Sequence, residues 1–235
     1  MTASAGGFSV ALVGADGAGK TTVGRALVER FPERIEYLYM GVNPSASNRQ
    51  LATTRLLNRV RGRTTGRSTS RAERSGSARM SVRQLVRTAL TPVRLLHRLS
   101  EEWYRQLLAW RTMRDGTIVL YDRHFFFDYF ATDIDRRAQG RSLSRRIHGL
   151  VLERAYPRPD LVIYLDAPPE VLLARKGEGT LESLAARRRD YRAFRSEVAH
   201  FVEVDATQPL DDVLTDVERL VGYFARHRSL PSGGS

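Results

Sequence analysis

Short apolar runs bounded by glycine, proline or charge alternate along this chain with longer stretches whose apolar residues recur every three to four positions. The runs at 8–13, 35–40, 117–121, 161–165 and 201–204 predict β-strands. The stretches at 22–30, 92–113, 169–175, 181–199 and 210–226, with a further one after His124, predict helices. Strand followed by helix, repeated through the chain, is the order of parallel strands joined by crossover helices. The expected class is therefore α/β, with three layers, a parallel central sheet and ligands at the carboxyl ends of the strands.

One region breaks the alternation. Between 61 and 81 almost every residue is Arg, Ser, Thr or Gly, too polar to bury a core, and a mobile loop is expected there. After it Val82, Leu85, Val86, Ala89, Leu90 and Val93 recur at the spacing of an amphipathic helix, with Arg83, Arg87, Arg94 and Arg98 on a neighbouring stripe. Pro92 after Thr91 either kinks that helix or starts a new one capped by Thr91. Residues 41–98 are read as an insertion within a single domain spanning 1–235.

The charge is concentrated in the same place. Residues 41–98 hold thirteen arginines, no lysine and one acid, Glu73, and so carry the whole formal charge of +12. Such a segment is either a solvated arginine face paired with acids elsewhere or a docking surface for a polyanion, whether anionic membrane or nucleic acid. An apolar stripe beside the basic one, with no aromatic residue in the loop to stack on bases, tilts that choice towards the membrane. The lack of cysteine excludes disulfides and thiolate metal sites. No apolar window has membrane-spanning length, and the first apolar run reads as a strand and not a leader peptide, so a cytoplasmic location is expected.

Directly after the first predicted strand stands Gly14-Ala15-Asp16-Gly17-Ala18-Gly19-Lys20-Thr21, followed by Thr22 and a predicted helix. It matches G-x-x-x-x-G-K-[ST] at every fixed position, in the strand–turn–helix setting that the motif requires. Gly17 and Gly19 let the backbone curl so that successive N–H groups converge on phosphate oxygens at the positive end of the helix. Lys20, one of two lysines in the chain, would reach the β- and γ-phosphates, and the Thr21 hydroxyl would ligate Mg²⁺. The motif predicts a nucleoside triphosphate site, with ATP and Mg²⁺ as the bound species.

Three further segments bear on the chemistry. The strand at 117–121 runs into Asp122-Arg123-His124, placing a carboxylate suited to support Mg²⁺ and a guanidinium suited to phosphate or carboxylate at the sheet edge, or else an ion pair that closes the strand. Residues 159–191 read as a strand, a helix with proline in its first turn, and a glycine-flanked loop with Arg175 and Lys176. A second basic helix with Arg187, Arg188 and Arg189 follows. This is either a lid over transferring phosphate or a plain basic surface. The last, Asp205-Ala206-Thr207-Gln208-Pro209, is by itself a capped turn.

Taken together these segments resemble thymidylate kinases and, more loosely, deoxynucleoside kinases, over residues 8–40 and 115–226. The resemblance implies a P-loop NTPase fold of the nucleotide kinase type with a lid loop, and transfer of the ATP γ-phosphoryl to a nucleoside monophosphate such as dTMP. It also implies that Asp16 faces the acceptor sugar, Arg123 grips the acceptor phosphate, Arg175, Lys176 and Arg188 act from the lid, and 205–210 lies beside adenine. The nucleotide cradle would be Gly14, Ala15, Gly17, Ala18, Gly19, Lys20, Thr21 and Thr22, with Asp205, Ala206, Thr207 and Gln208; the metal would sit at Thr21 and Asp122. Gly17 stands where some members carry a catalytic arginine, which leaves the lid to supply transition-state charge.

The sequence departs from that family at Met40-Gly41-Val42-Asn43-Pro44, at Phe125-Phe126-Phe127-Asp128-Tyr129-Phe130 and in the arginine-rich insertion, and Arg105 lies about one turn from the register of a base-reading helix arginine. The three phenylalanines are core or, with Asp128, face an acceptor. Two other readings remain open: a kinase for a deoxynucleoside, sugar or lipid-linked anion, and an ATP-binding regulatory module at a membrane or nucleic-acid surface. A second copy of the chain is a candidate partner.

Overall fold

A computed structural model describes residues 6–41, 91–135 and 140–228. The loop expected at 61–81 and the amphipathic stretch from Val82 to Leu90 lie outside the described residues. The elements are β1 (Ser9–Val13), α1 (Lys20–Arg30), β2 (Ile35–Tyr39), α2 (Thr91–Arg114), β3 (Ile118–Asp122), α3 (Phe125–Tyr129), a π-helical turn (Phe130–Ile134), α4 (Leu143–Arg154), β4 (Leu161–Asp166), α5 (Pro169–Lys176), α6 (Leu181–Ala193), a 3₁₀ turn (Phe194–Ser196), β5 (Phe201–Asp205) and α7 (Leu210–His227). Five parallel strands form one sheet in the order β2-β3-β1-β4-β5.

Every residue of β1 and of β4 is buried, as a parallel strand covered on both faces must be. Along β1 the side chains divide between two cores. Val10 and Leu12 pack with Val23 and Leu27 of α1 and Val213, Val217 and Val221 of α7. Ala11 and Val13 join an aromatic core built from Tyr121, Phe125, Phe126, Phe127, Leu152, Tyr164 and Phe194. Helices thus cover both faces of the sheet. The three consecutive phenylalanines are buried, and Phe126 and Phe127 pack against Phe194 with ring centroids 6.2 and 5.0 Å apart.

The element boundaries differ from the sequence pattern where long-range contacts decide them. The third strand extends through Asp122, because Asp122 pairs in register with both Leu12 and Tyr39. The helix expected over 181–199 stops at Ala193, where burial of Phe194 tightens the chain into the 3₁₀ turn. The stretch after His124 is broken into α3, the π-helical turn and α4.

A buried charged cluster ties these last pieces together. His148 on α4 bonds Asp133 Oδ2 of the π-helical turn at 2.7 Å and both carboxylate oxygens of Glu102 on α2 at 3.0 Å. Arg98 and Arg145 approach Asp133 at 3.4 and 3.7 Å. Gly149 makes the close packing feasible, since a Cβ there would lie 1.9 Å from the Asp133 carbonyl oxygen. Arg105 is buried in the same helix α2, paired with Glu101 and donating to the carbonyls of Tyr39 and Gly41, so it braces the end of β2. Among the described residues, no helix is long and apolar enough to cross a membrane.

Candidate active site

The sheet register brings the side chains predicted for the site together. Leu12 of β1 pairs with Asp122 of β3, Val13 with Tyr164 of β4, and Asp166 of β4 with Asp205 of β5. The carboxyl ends of four strands therefore open beside the 14–22 loop, which leaves β1 and enters α1. Gly17 in this loop has φ +91°, and a Cβ on it would lie 2.7 Å from the Leu172 carbonyl oxygen of α5. The close contact with α5 excludes any side chain at the position where an arginine would otherwise be sought.

Lys20 is buried at the first turn of α1, and its Nζ donates to the carbonyls of Gly14 and Ala15 at 2.8 Å each, folded back across the loop. Burial, and then the nearby Arg123 guanidinium, pull its ammonium down to about 8. The next residue, Thr21, donates from Oγ1 to Asp122 Oδ2 at 2.6 Å, and the Tyr37 hydroxyl of β2 donates to the same oxygen at 2.6 Å. The other carboxylate oxygen, Asp122 Oδ1, is buried without a hydrogen-bond partner among the described residues. A hydroxyl and a carboxylate with a spare buried oxygen form a hard-oxygen donor set that fits Mg²⁺, which takes few protein ligands and completes its shell with phosphate and water.

Arg123 follows β3 in the left-handed region, φ +68°, an uncommon conformation outside glycine that recurs at functional sites. Its guanidinium is held by Asp16 of the loop and lies 3.8 Å from Asp128. Asp16 also accepts from Arg187 at 2.8 Å and lies 3.8 Å from Lys176. Partial burial works against ionisation of Asp16, but Arg123 and Lys20 outweigh it and hold the carboxyl down at about 2. One carboxylate thus gathers three cations, from two helices and the turn after β3.

Two cavities of about 470 Å³ each meet at this knot. The first is lined by the loop from Asp16 to Thr22, by Arg175 and by Ala206 and Gln208. The second is walled by Tyr39, Phe127, Phe130, Tyr191 and Phe194, with Asp128, Arg187 and Asp190 adding charge. Asp16, Arg123 and Lys176 line both.

The residues expected from sequence fall into two groups. Asp16, Gly17, Ala18, Gly19, Lys20, Thr21, Thr22, Arg123, Arg175, Lys176, Ala206 and Gln208 line the first cavity. Gly14 and Ala15 shape the loop through their carbonyls, and Asp122 stands beneath it. Arg175 donates to the Ala206 carbonyl at 2.8 Å, joining α5 to the loop after β5. Asp205 and Thr207 form a local turn, Asp205 accepting from the Thr207 amide at 2.8 Å and hydroxyl at 2.6 Å.

Arg188 lines neither cavity. Its guanidinium is engaged by Asp166 at 2.7 and 3.0 Å, where Arg192 and the Tyr164 hydroxyl also bind, so it fastens α6 to the end of β4. Its neighbour Arg187 reaches Asp16 instead. Helical spacing alone cannot say which of three consecutive arginines faces the loop. Tyr37 and Asp166 also escaped the sequence reading; the signal for each was a polar atom on a strand that is otherwise wholly or largely apolar. No model of a protein family matches the chain.

Proposed function

We propose that this chain is an ATP-dependent phosphotransferase of the thymidylate-kinase-like group, moving the γ-phosphoryl of ATP to a nucleoside monophosphate. The observation that carries the reading is the meeting of two cavities at Asp16, Arg123 and Lys176. Transfer between two bound molecules needs such a junction, and its catalysis is chiefly positioning and charge stabilisation. In this reading the first cavity takes the triphosphate, with Lys20 on its β- and γ-oxygens and Thr21 and Asp122 holding Mg²⁺. The ion, when bound, neutralises phosphate charge.

The second cavity takes the acceptor. Its aromatic wall suits the flat face of a nucleobase. Arg123 and Arg187 suit its phosphate, whose oxygen attacks the γ-phosphorus while the bond to the β-bridging oxygen breaks, leaving ADP. A phosphate oxygen is already anionic at neutral pH and needs no general base. Asp16, held ionised well below neutrality, is correspondingly a poor base and serves to position cations and sugar hydroxyl.

The test is ADP formation across a panel of nucleoside monophosphates, nucleosides and sugars, repeated with Arg123→Ala. Loss of a charge-assisted contact of about 1.5–3 kcal/mol should raise the acceptor KM tenfold or more, with ATP affinity by calorimetry little changed. ADP release that no acceptor stimulates, or equal loss of ATP binding in the variant, sinks the reading.

A further inference from the structure

Helix α4 presents two faces of different character. His148, Gly149 and Leu152 point inward and are buried. On the opposite side Leu143, Ile147 and Leu150, spaced i, i+4 and i+7, form a bare apolar stripe; Leu143 is 70% exposed, Ile147 42% and Leu150 46%. Arg146 and Arg154 stand on or beside that stripe, exposed and without an ion-pair partner among the described residues. Arg141 and two acids, Glu153 and the buried Asp133, share the same depression of about 520 Å³. Arg141 donates to the Asp133 carbonyl, so its cationic head is anchored at the rim.

A shallow, open groove with an apolar floor and arginines at its edges is the pattern of a surface that rests in the headgroup layer of an anionic bilayer. Nucleic acid would use the arginines but leave the aliphatic stripe in water, and the groove offers no aromatic side chain for stacking. The groove itself supports the same choice, since Arg141, Arg146 and Arg154 outnumber Glu153 and the buried Asp133 there and favour an anionic surface over a basic or neutral partner. We infer that the α4 face, with Leu143, Ile147 and Leu150 inserted and Arg146 and Arg154 on lipid phosphates, docks this protein on anionic membrane. Its position gives the docking a consequence. Phe130, Ala131 and Thr132 of the π-helical turn line the second cavity of the site, and Asp133 and Ile134 of the same turn line the groove. The bilayer would lie one turn of chain from the acceptor cavity.

The chain has no cysteine, so Ile147→Cys carries an environment-sensitive fluorophore at one known place. Asp212→Cys on α7, on the opposite face of the sheet, is the control. With the full chain and vesicles containing acidic phospholipid at low salt, the probe at 147 should shift to the blue. High salt or purely zwitterionic vesicles should abolish the shift, and the probe at 212 should not respond. Arg146→Gln with Arg154→Gln should weaken vesicle partitioning about twenty-five-fold, roughly fivefold per arginine, with circular dichroism and basal ADP formation unchanged. The inference is overturned by an unresponsive 147 probe, or by equal responses at 147 and 212. It also fails if the shift appears only with double-stranded oligonucleotide, or grows with protein concentration in the absence of lipid. Undiminished partitioning of the double variant would assign membrane binding to the arginine-rich segment 41–98 instead.

Discussion

Lys20 shows how the fold shifts a single charge. Its ammonium is buried against two carbonyls and close to Arg123, and its value of about 8 lies below the ordinary 10.5. The unfolded chain binds the extra proton between those values, so the unliganded fold gains stability as pH rises from about 8 towards 10.5. Under the proposed function a bound triphosphate would reverse the preference and draw the proton back. Nucleotide binding at pH 8 should therefore take up about half a proton, measured by calorimetry in two buffers of different ionisation enthalpy. Lys20→Met should remove the uptake; persistence of the uptake in that variant would show that another group is responsible. Asp16, at about 2, stays ionised throughout this range and contributes nothing to it.

At the scale of elements, two arrangements hold the walls of the site. The first is α6, which begins with a capping box between Thr180 and Ser183 and is fastened to β4 by Arg188 and Arg192 on Asp166. Adjacent arginines on this helix have different tasks. Arg187→Ala should raise the acceptor KM with little change in ATP affinity, the signature of a contact to the acceptor and not to the triphosphate. Arg188→Ala should cost about 1 kcal/mol of stability, modest because Arg192 and Tyr164 remain on Asp166. Steady-state kinetics and urea titration separate the two, and a reversed pattern would exchange the assignments. The second is the cluster of His148, Glu102 and Asp133. Replacing His148 by Leu strands two buried carboxylates and should cost about 3–5 kcal/mol in urea unfolding.

The same cluster has a defined pH dependence. Burial opposes the His148 charge, but bonds to Asp133 and Glu102 raise the imidazolium above its ordinary 6.5, with Arg98 acting against them. Its contribution is complete below pH 6.5 and fades as pH rises through the folded value. Asp133 is lowered despite burial, chiefly by its bond to His148, so its contribution is complete above 3.8 and is lost in acid. The stability difference between the wild type and His148→Leu should shrink at alkaline pH, and a difference that grows there would refute the ion-pair account.

For the molecule as a whole, the two cavities predict coupled ligand stabilisation. A nonhydrolysable ATP analogue at a hundredfold excess over its Kd should stabilise the fold by about 2.7 kcal/mol. For a chain of this length that is a rise in Tm of roughly 5–10 °C. Adding the acceptor should raise it again, whereas Lys20→Met should show little response to the analogue. A Tm that ignores both ligands would speak against the paired-site reading. Much of this architecture was legible beforehand. Each strand is a short apolar run, and the glycine-rich turn with its lysine and threonine is a contiguous motif whose spacing needs no distant partner. The carboxylate after the third strand was visible for the same reason. Other features depend on which strands become neighbours. Strand order placed Tyr37 on Asp122, sheet register set Asp166 under α6, and the packing of α5 on Gly17 closed that position to a side chain. The choice of Arg187 over Arg188 at Asp16 and the burial of His148 between two acids also arose there. Local sequence determines what a segment of backbone prefers and what chemistry it carries. Which of those groups meet is decided by long-range packing, because only the assembled sheet and its helices set the distances between them.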